Sequence, residues 1–177
     1  MTSEEYITKH WIPNKIWTHL TWQNHQTRLK RCAGFLEGAR FADVGCACGH
    51  STNIMSGFKE GEWTGIDFSA TGIKMAKEQF PELAFRLCRS IKQLGALKPF
   101  DSVVCSELIE HVPDDKVLLV SLLRITNHQL VITTPNLAVD DPGHQRCYNE
   151  ASLKELLDGL TYRIYSEGAF YFINITK

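Results

Sequence analysis

The sequence predicts an α/β fold: a three-layer sandwich around a seven-stranded, mostly parallel sheet that ends in an antiparallel C-terminal hairpin. Three observations predict it. From residue 40 onward, short strand-like runs alternate with segments of helical spacing, and such alternation implies parallel strands joined by right-handed helical crossovers. The last two runs, "YRIYSE" and "FYFINIT", are separated only by a turn, so one of them runs antiparallel to its neighbour. The chain's 177 residues, 44% apolar and 22% charged, suit one packed core.

The elements follow in order. Ile16, Leu20, Leu29 and Phe35 recur at helical spacing through residues 13–37, with Trp17 and Trp22 between them, and Gly38 ends the segment. Residues 1–38 are therefore expected to form a helical lid on a core of residues 39–177, all within a single domain of residues 1–177. Strand "RFADVG" opens the core and a helix starts near Ser51. Next come strand "EWTGID", a helix from Ser69, strand "LAFRLC", a helical turn near Ile91 and strand "FDSVVCS". A helix from Pro113 to about Asn127, strand "QLVITTP", a loop over 136–148 and a helix from Asn149 to about Leu160 lead to the hairpin. Its turn is expected at Glu167-Gly168.

Composition excludes several classes of function. A formal net charge of −1 gives no general attraction to nucleic acid; Arg28, Lys30, Arg31 and Arg40 form a small basic cluster that a solvated helix face explains as well as a nucleic-acid contact does. His10, Pro13, Lys15, His19 and His25 interrupt the first thirty residues, which contain neither a signal-peptide core nor a membrane span. A cytoplasmic protein with no membrane partner is expected. The six cysteines lack a secretory context, and all are expected to be reduced.

In open α/β sheets ligands sit beyond the carboxyl ends of the strands, so the strand-to-helix loops are the places to look for chemistry. The first, "DVGCACGHST", poses a choice between a Cys46-x-Cys48-x-His50 metal clip and a tight cofactor loop. The clip has too short a bite and no second ligand pair, which favours cysteine as a small buried filler. A dinucleotide fingerprint would need glycine where His50 stands, which disfavours hydride transfer. Asp67 closes the second strand, where a carboxylate can accept hydrogen bonds from both ribose hydroxyls; the alternative is a helix-capping turn residue.

The spacing Asp43-x-Gly45-x-Ala47-x-Gly49 resembles the first motif of class I S-adenosylmethionine-dependent methyltransferases, with Ala47 in place of the usual middle glycine. "CSELIEHVPDD", "TTPN" and "GHQRCYNEASLKELL" resemble, in the same order, a subgroup containing ubiquinone-pathway and small-molecule O-methyltransferases, over about residues 40–157. The resemblance implies the Rossmann-like methyltransferase fold, S-adenosylmethionine as cofactor, and methyl transfer to a small-molecule acceptor at oxygen. It also implies cofactor contacts from Asp43, Gly45, Ala47, Gly49, Asp67, Phe68, Ser90, Ile91 and Ser106. Arg89 stands where relatives often place an acidic group against adenine. That leaves Ser90 or a backbone carbonyl to accept from the amino group, with Ile91 covering the ring.

His111 and His144 lie in loops expected at the same sheet end and are the candidate bases, an imidazole being suited to removing a hydroxyl proton. Packing or capping is the alternative for His111. Glu107, Glu110 and His111, in the pattern E-x-x-E-H, also resemble metal-dependent members of the family, including small-RNA 2′-O-methyltransferases. With His144 they are candidate ligands of a divalent metal, with Asp140 and Asp141 as further contributors. A noncatalytic partner subunit and a metal-dependent RNA terminal 2′-O-methyltransferase remain the alternatives. The net charge and the lack of a basic RNA-binding module make nucleic acid the less expected partner.

Overall fold

The computed structural model describes residues Met1–Lys177. Its strands are β1 (Arg40–Val44), β2 (Glu62–Asp67), β3 (Ala84–Leu87), β4 (Phe100–Ser106), β5 (Thr126–Pro135), β6 (Tyr162–Glu167) and β7 (Phe170–Thr176). They form one sheet in the order β3-β2-β1-β4-β5-β7-β6. The first five strands are mutually parallel, while β7 runs antiparallel to both β5 and β6. Strand order reverses between β1 and β4, which makes the carboxyl ends of these two strands the topological switch point.

Alternation along the strands divides the core in two. Ala42, Val44, Val103, Cys105, Leu130 and Ile132 face one side, where they meet Leu118 and Leu122 of α6 (Asp115–Arg124) and Leu153 of α7 (Glu150–Leu156). Phe41, Val104, Val131 and Phe172 face the other side, against Leu29 and Cys32 of α2 (Gln23–Gly34) and Met55 of α3 (His50–Ser56). Burying a side chain such as Leu29, Phe41 or Leu118 contributes about 1.5–3 kcal/mol, and all three are fully buried. Two shorter helices complete the crossovers, α4 (Ala70–Gln79) and α5 (Ile91–Leu94).

The seven strands lie where the sequence places them, and the departures are at their ends. β5 starts at Thr126, so the preceding helix stops at Arg124 instead of continuing to Asn127. The Thr126 hydroxyl turns back to the Leu122 carbonyl at 2.8 Å. The last helix ends at Leu156, short of Leu160. Glu167 pairs with Phe170 as the last residue of β6, which makes the hairpin loop Gly168-Ala169.

The N-terminal segment is broken into α1 (Ser3–Tyr6), a wide turn over Ile7–Trp11, a tight 3₁₀ stretch over Ile16–Thr21, and α2. Pro13 and a left-handed Lys15 (φ 49°) interrupt any longer helix. No helix is long and apolar enough to cross a membrane.

Candidate active site

The loop after β1 is held from beneath. Asp43 is buried, and its Oδ2 accepts hydrogen bonds from Ser51 Oγ and Thr52 Oγ1, both at 2.7 Å, which fixes the start of α3 to the end of β1. Burial pushes its pKa up, and the two hydroxyl donors oppose that shift. Gly45 and Gly49 have φ of 89° and 84°. A Cβ at Gly49 would also lie 2.8 Å from the Phe85 ring, so that position requires glycine twice over. Ala47 adopts φ 48° as well, a conformation that costs a non-glycine residue about 1–2 kcal/mol.

Asp67 stabilises that strained turn. Its Oδ2 accepts from the Ala47 amide at 2.9 Å and its Oδ1 from the Ser69 amide at 2.8 Å, so one buried carboxylate joins the tip of β2 to the β1 loop. Burial raises its pKa to about 6. Phe68 and Ile91 are half-buried against the main core. The Ser90 hydroxyl accepts from the Gln93 amide as the cap of α5, and Ser106 Oγ lies 2.8 Å from Thr133 Oγ1.

The Cys46-x-Cys48-x-His50 pattern does not form a clip. Cys46 packs with Ile73, Ala76 and Phe85, Cys48 Sγ approaches Met75 Sδ at 3.9 Å, and the His50 ring stacks on Trp17 with centroids 5.4 Å apart. All six cysteines are free, and five are buried.

Three of the four candidate metal ligands do come together. Glu110, His111 and His144 each offer a ligand atom within 4.8 Å of the others. Glu110 is buried: its Oε2 accepts from Thr134 Oγ1 at 3.2 Å, while its Oε1 has no partner. Burial and the nearby Glu107 push its pKa well above the carboxylate range. The His111 and His144 rings are 4.6 Å apart, edge to face, and burial lowers the His111 pKa to about 4. A Cβ at Gly143 would fall 2.7 Å from His111 Nδ1, so glycine is what lets this loop lie against the imidazole.

Glu107 is the exception. It takes φ 56° directly after β4, which turns it away from the single turn Ile109–His111 on which Glu110 and His111 sit. Its Oε1 lies 3.0 Å from Arg28 Nη1 and accepts from Thr133 Oγ1 at 3.0 Å. Asp141 also stands outside the cluster, accepting from the Tyr6 hydroxyl at 2.8 Å and the Gly143 amide at 2.7 Å. Asp140 is exposed.

Two further features adjoin the site. Arg28 is buried instead of lying on a solvated face, with its Nε lacking a hydrogen bond and its guanidinium 4.7 Å from the Phe170 centroid. Helical periodicity places it one turn before the buried Cys32, and that signal could have revealed it. Residues 2–12 form a strap across the strand tips. The Glu4 carboxylate accepts from Ser69 Oγ at 2.6 Å and from the Thr71 hydroxyl, Ile7 is buried against Ala47 and Cys48, and Tyr6 packs 5.0 Å from His111. The start of α1 is a Thr2…Glu5 capping box, a pattern readable in "TSEE". Of the N-terminal tryptophans, Trp11 packs at the edge of this strap, whereas Trp22 is mostly exposed.

A glycine turn pinned by a strand-tip carboxylate, next to the ion pair of the buried Arg28 at the switch point of a β3-β2-β1-β4-β5-β7-β6 sheet, defines a small-ligand α/β domain of the nucleoside-binding kind. The sequence model of a family described as a methyltransferase domain matches residues 36–171. The chain belongs to that family. It is 38% identical over 91 residues to a ubiquinone biosynthesis O-methyltransferase of Alkalilimnicola ehrlichii, a match covering 49% of this chain and 36% of that protein. The counterpart from Xanthomonas campestris pv. campestris is 34% identical over 90 residues, covering 48% and 37%. These matches span little more than a third of the relatives' length.

Among solved structures, magnesium protoporphyrin IX methyltransferase of Synechocystis PCC 6803 with bound SAH superposes with a TM-score of 0.77 at 13% identity, covering 99% of this chain and 97% of that one. A SAM-dependent methyltransferase of Aquifex aeolicus gives 0.70 at 18% identity, covering 93% and 97%. These likenesses establish the fold.

Proposed function

We propose that this chain binds S-adenosylmethionine across the tips of β1, β2 and β4 and transfers its methyl group to an oxygen of a small-molecule acceptor. The observation that carries the reading is the constellation at the strand tips: the Gly45–Gly49 turn, Asp67 reaching into it, and Arg28 with Glu107 beside it. The cofactor's amino-acid end is a zwitterion. Arg28 offers it a buried guanidinium whose Nε has no hydrogen-bond partner and Glu107 offers a carboxylate, so the residues present fit that group. Asp67 would accept from the ribose hydroxyls, and Phe68 and Ile91 would flank the base. Asp43 acts indirectly by fixing the loop.

The bound sulfonium supplies an already activated methyl group. What remains for the chain is to hold an acceptor in line, exclude water and manage one proton. The strap of residues 2–12, anchored at Glu4, Ile7 and Tyr6, closes the strand tips against solvent. With its pKa lowered to about 4, His111 is neutral at pH 7 and a weak base, better suited to lending a lone pair to a cation than to taking a proton. Together with His144 and the unpartnered Glu110 Oε1 it forms a donor set that fits a divalent cation. A cation held by these residues would supply Lewis-acid polarisation of an acceptor oxygen.

Thermal shift tests the cofactor. S-adenosylmethionine or its product S-adenosylhomocysteine at a hundredfold over Kd should stabilise the chain by about 2.7 kcal/mol, and NAD should not. No shift with either compound favours a noncatalytic partner subunit. EDTA tests the cation in a methyl-transfer screen over phenols, sugars and RNA ends. Activity that is lost to EDTA and regained with Mg²⁺, Mn²⁺ or Zn²⁺ supports the metal. Activity unaffected by EDTA but lost in His144→Ala assigns that histidine as the base.

A further inference from the structure

Between α2 and the β6–β7 turn lies an open cleft of about 430 Å³, lined by Gln23, Asn24, Thr27, Arg28, Glu167 and Phe170 among others. Its volume is in the range of small-molecule sites. Of its lining residues only Arg28 is assigned to the cofactor.

The cleft reaches the reaction end of the sheet. Phe172, also in its lining, pairs with Thr133 across β7 and β5, and Thr133 donates to Glu107 at the tip of β4. Arg28 both lines the cleft and lies 3.0 Å from Glu107. A ligand seated here therefore has one end beside the residues assigned to the cofactor's amino-acid group.

Its charges are already balanced. Arg28 is paired with Glu107, and Glu167 with Arg31 at 2.7 Å. An anionic ligand would have to displace Glu107, and a cationic one Arg31. A zwitterionic cofactor end exchanging into the first pair keeps the balance at zero. The remaining lining is aromatic and neutral polar: Phe170 and Phe172 form the floor, and the wall from α2 carries two amides and a hydroxyl. An aromatic floor receives the C–H face of a saturated ring, and amide and hydroxyl groups pair with ring hydroxyls as donors or acceptors.

We propose that this cleft seats the methyl acceptor and that the acceptor is a neutral, hydroxyl-rich ring of the sugar or polyol class. The proposal rests on the methyltransferase reading for its purpose, but binding to the cleft can be tested without turnover. Saturation-transfer NMR on the full chain with methyl α-D-glucopyranoside, benzoate and butylamine as probes reads the class directly. Transfer to the glucoside is expected, with little to the two charged probes. Gln23→Ala and Asn24→Ala, both at exposed positions, should each weaken glucoside binding about fivefold, the value of one hydrogen bond, and Thr27→Trp should block it.

S-adenosylhomocysteine binding, followed by thermal shift, should be unchanged in all three variants. No transfer to the glucoside, stronger transfer to benzoate or butylamine, or undiminished transfer in Thr27→Trp overturns the proposal. So does displacement of the glucoside by S-adenosylhomocysteine, because the cleft would then belong to the cofactor. If S-adenosylhomocysteine never binds the wild-type chain, the methyltransferase reading fails, whereas the glucoside result still decides what the cleft takes.

Discussion

Asp67→Asn separates two roles of one carboxylate by pH. Burial raises the Asp67 pKa from 3.8 to about 6, so the folded protein holds this proton more tightly than the unfolded chain. The corresponding stability is fully present below pH 3.8 and is lost as pH rises through about 6. A rise of that size is worth about 3 kcal/mol. Asparagine carries no charge, so it escapes this loss. It does, however, replace one of the two accepting oxygens with an NH₂ group, leaving either the Ala47 or the Ser69 amide unpaired at a cost of about 1–3 kcal/mol.

The two terms nearly cancel above pH 7, where the variant should be about as stable as the wild type. Near pH 4 only the lost hydrogen bond counts, and the variant should be less stable by about 1–3 kcal/mol. Urea unfolding at pH 4.5, 6 and 7.5, with both chains folded at each starting point, measures this. A wild-type-minus-variant difference that is constant across the three pH values would refute the assignment of a buried, proton-retaining Asp67. In the same series S-adenosylhomocysteine affinity should fall in the wild type below pH 6, tenfold per pH unit at the limit, and should be weak and flat in the variant.

Glu110→Gln in EDTA should be more stable than the wild type at neutral pH, because burial pushes the Glu110 pKa well above 4.5. Wild-type stability then falls by up to about 1.4 kcal/mol per pH unit above that value; parallel pH profiles for the two proteins would contradict this, and Zn²⁺ added to the wild type in weak buffer should release protons. Glu4→Ala removes the acceptor that ties the strap to Ser69 and Thr71, so amide hydrogen exchange over residues 3–12 should speed at least tenfold with little change in Tm. Unchanged exchange would mean that Ile7 and Tyr6 hold the strap alone. Arg28→Met keeps the stem's bulk but leaves the Glu107 carboxylate without its cation; S-adenosylhomocysteine binding should weaken by about 1.5–3 kcal/mol in isothermal calorimetry, and unchanged affinity would place the amino-acid end elsewhere.

The sheet was legible because short apolar runs, dense in β-branched residues in β4, β5 and β7, meet boundaries that chemistry enforces: Gly45 and Asp67 at the tips of β1 and β2, and Pro135 at the end of β5. The same local signals reveal which residues lie at the strand tips without revealing what each side chain faces. Asp67 illustrates the gap. Its position is readable from "GIDFS", but its partnership with the Ala47 amide depends on a left-handed turn twenty residues earlier.

Glu107 is the sharper case, because the spacing E-x-x-E-H assumes a helical turn from its first residue. Here the turn begins only at Ile109, and a positive φ at Glu107 sends that carboxylate to Arg28. Neither residue signals the pairing alone: Arg28 sits in a run of basic residues, and Glu107 belongs to a motif with its own appeal. Their meeting depends on α2 packing its Leu29–Cys32 stripe against the sheet so that Arg28, at the stripe's border, is carried under the tip of β4. Fold could therefore be read from local pattern, but the site needed the tertiary packing that brings residue 28 to residue 107.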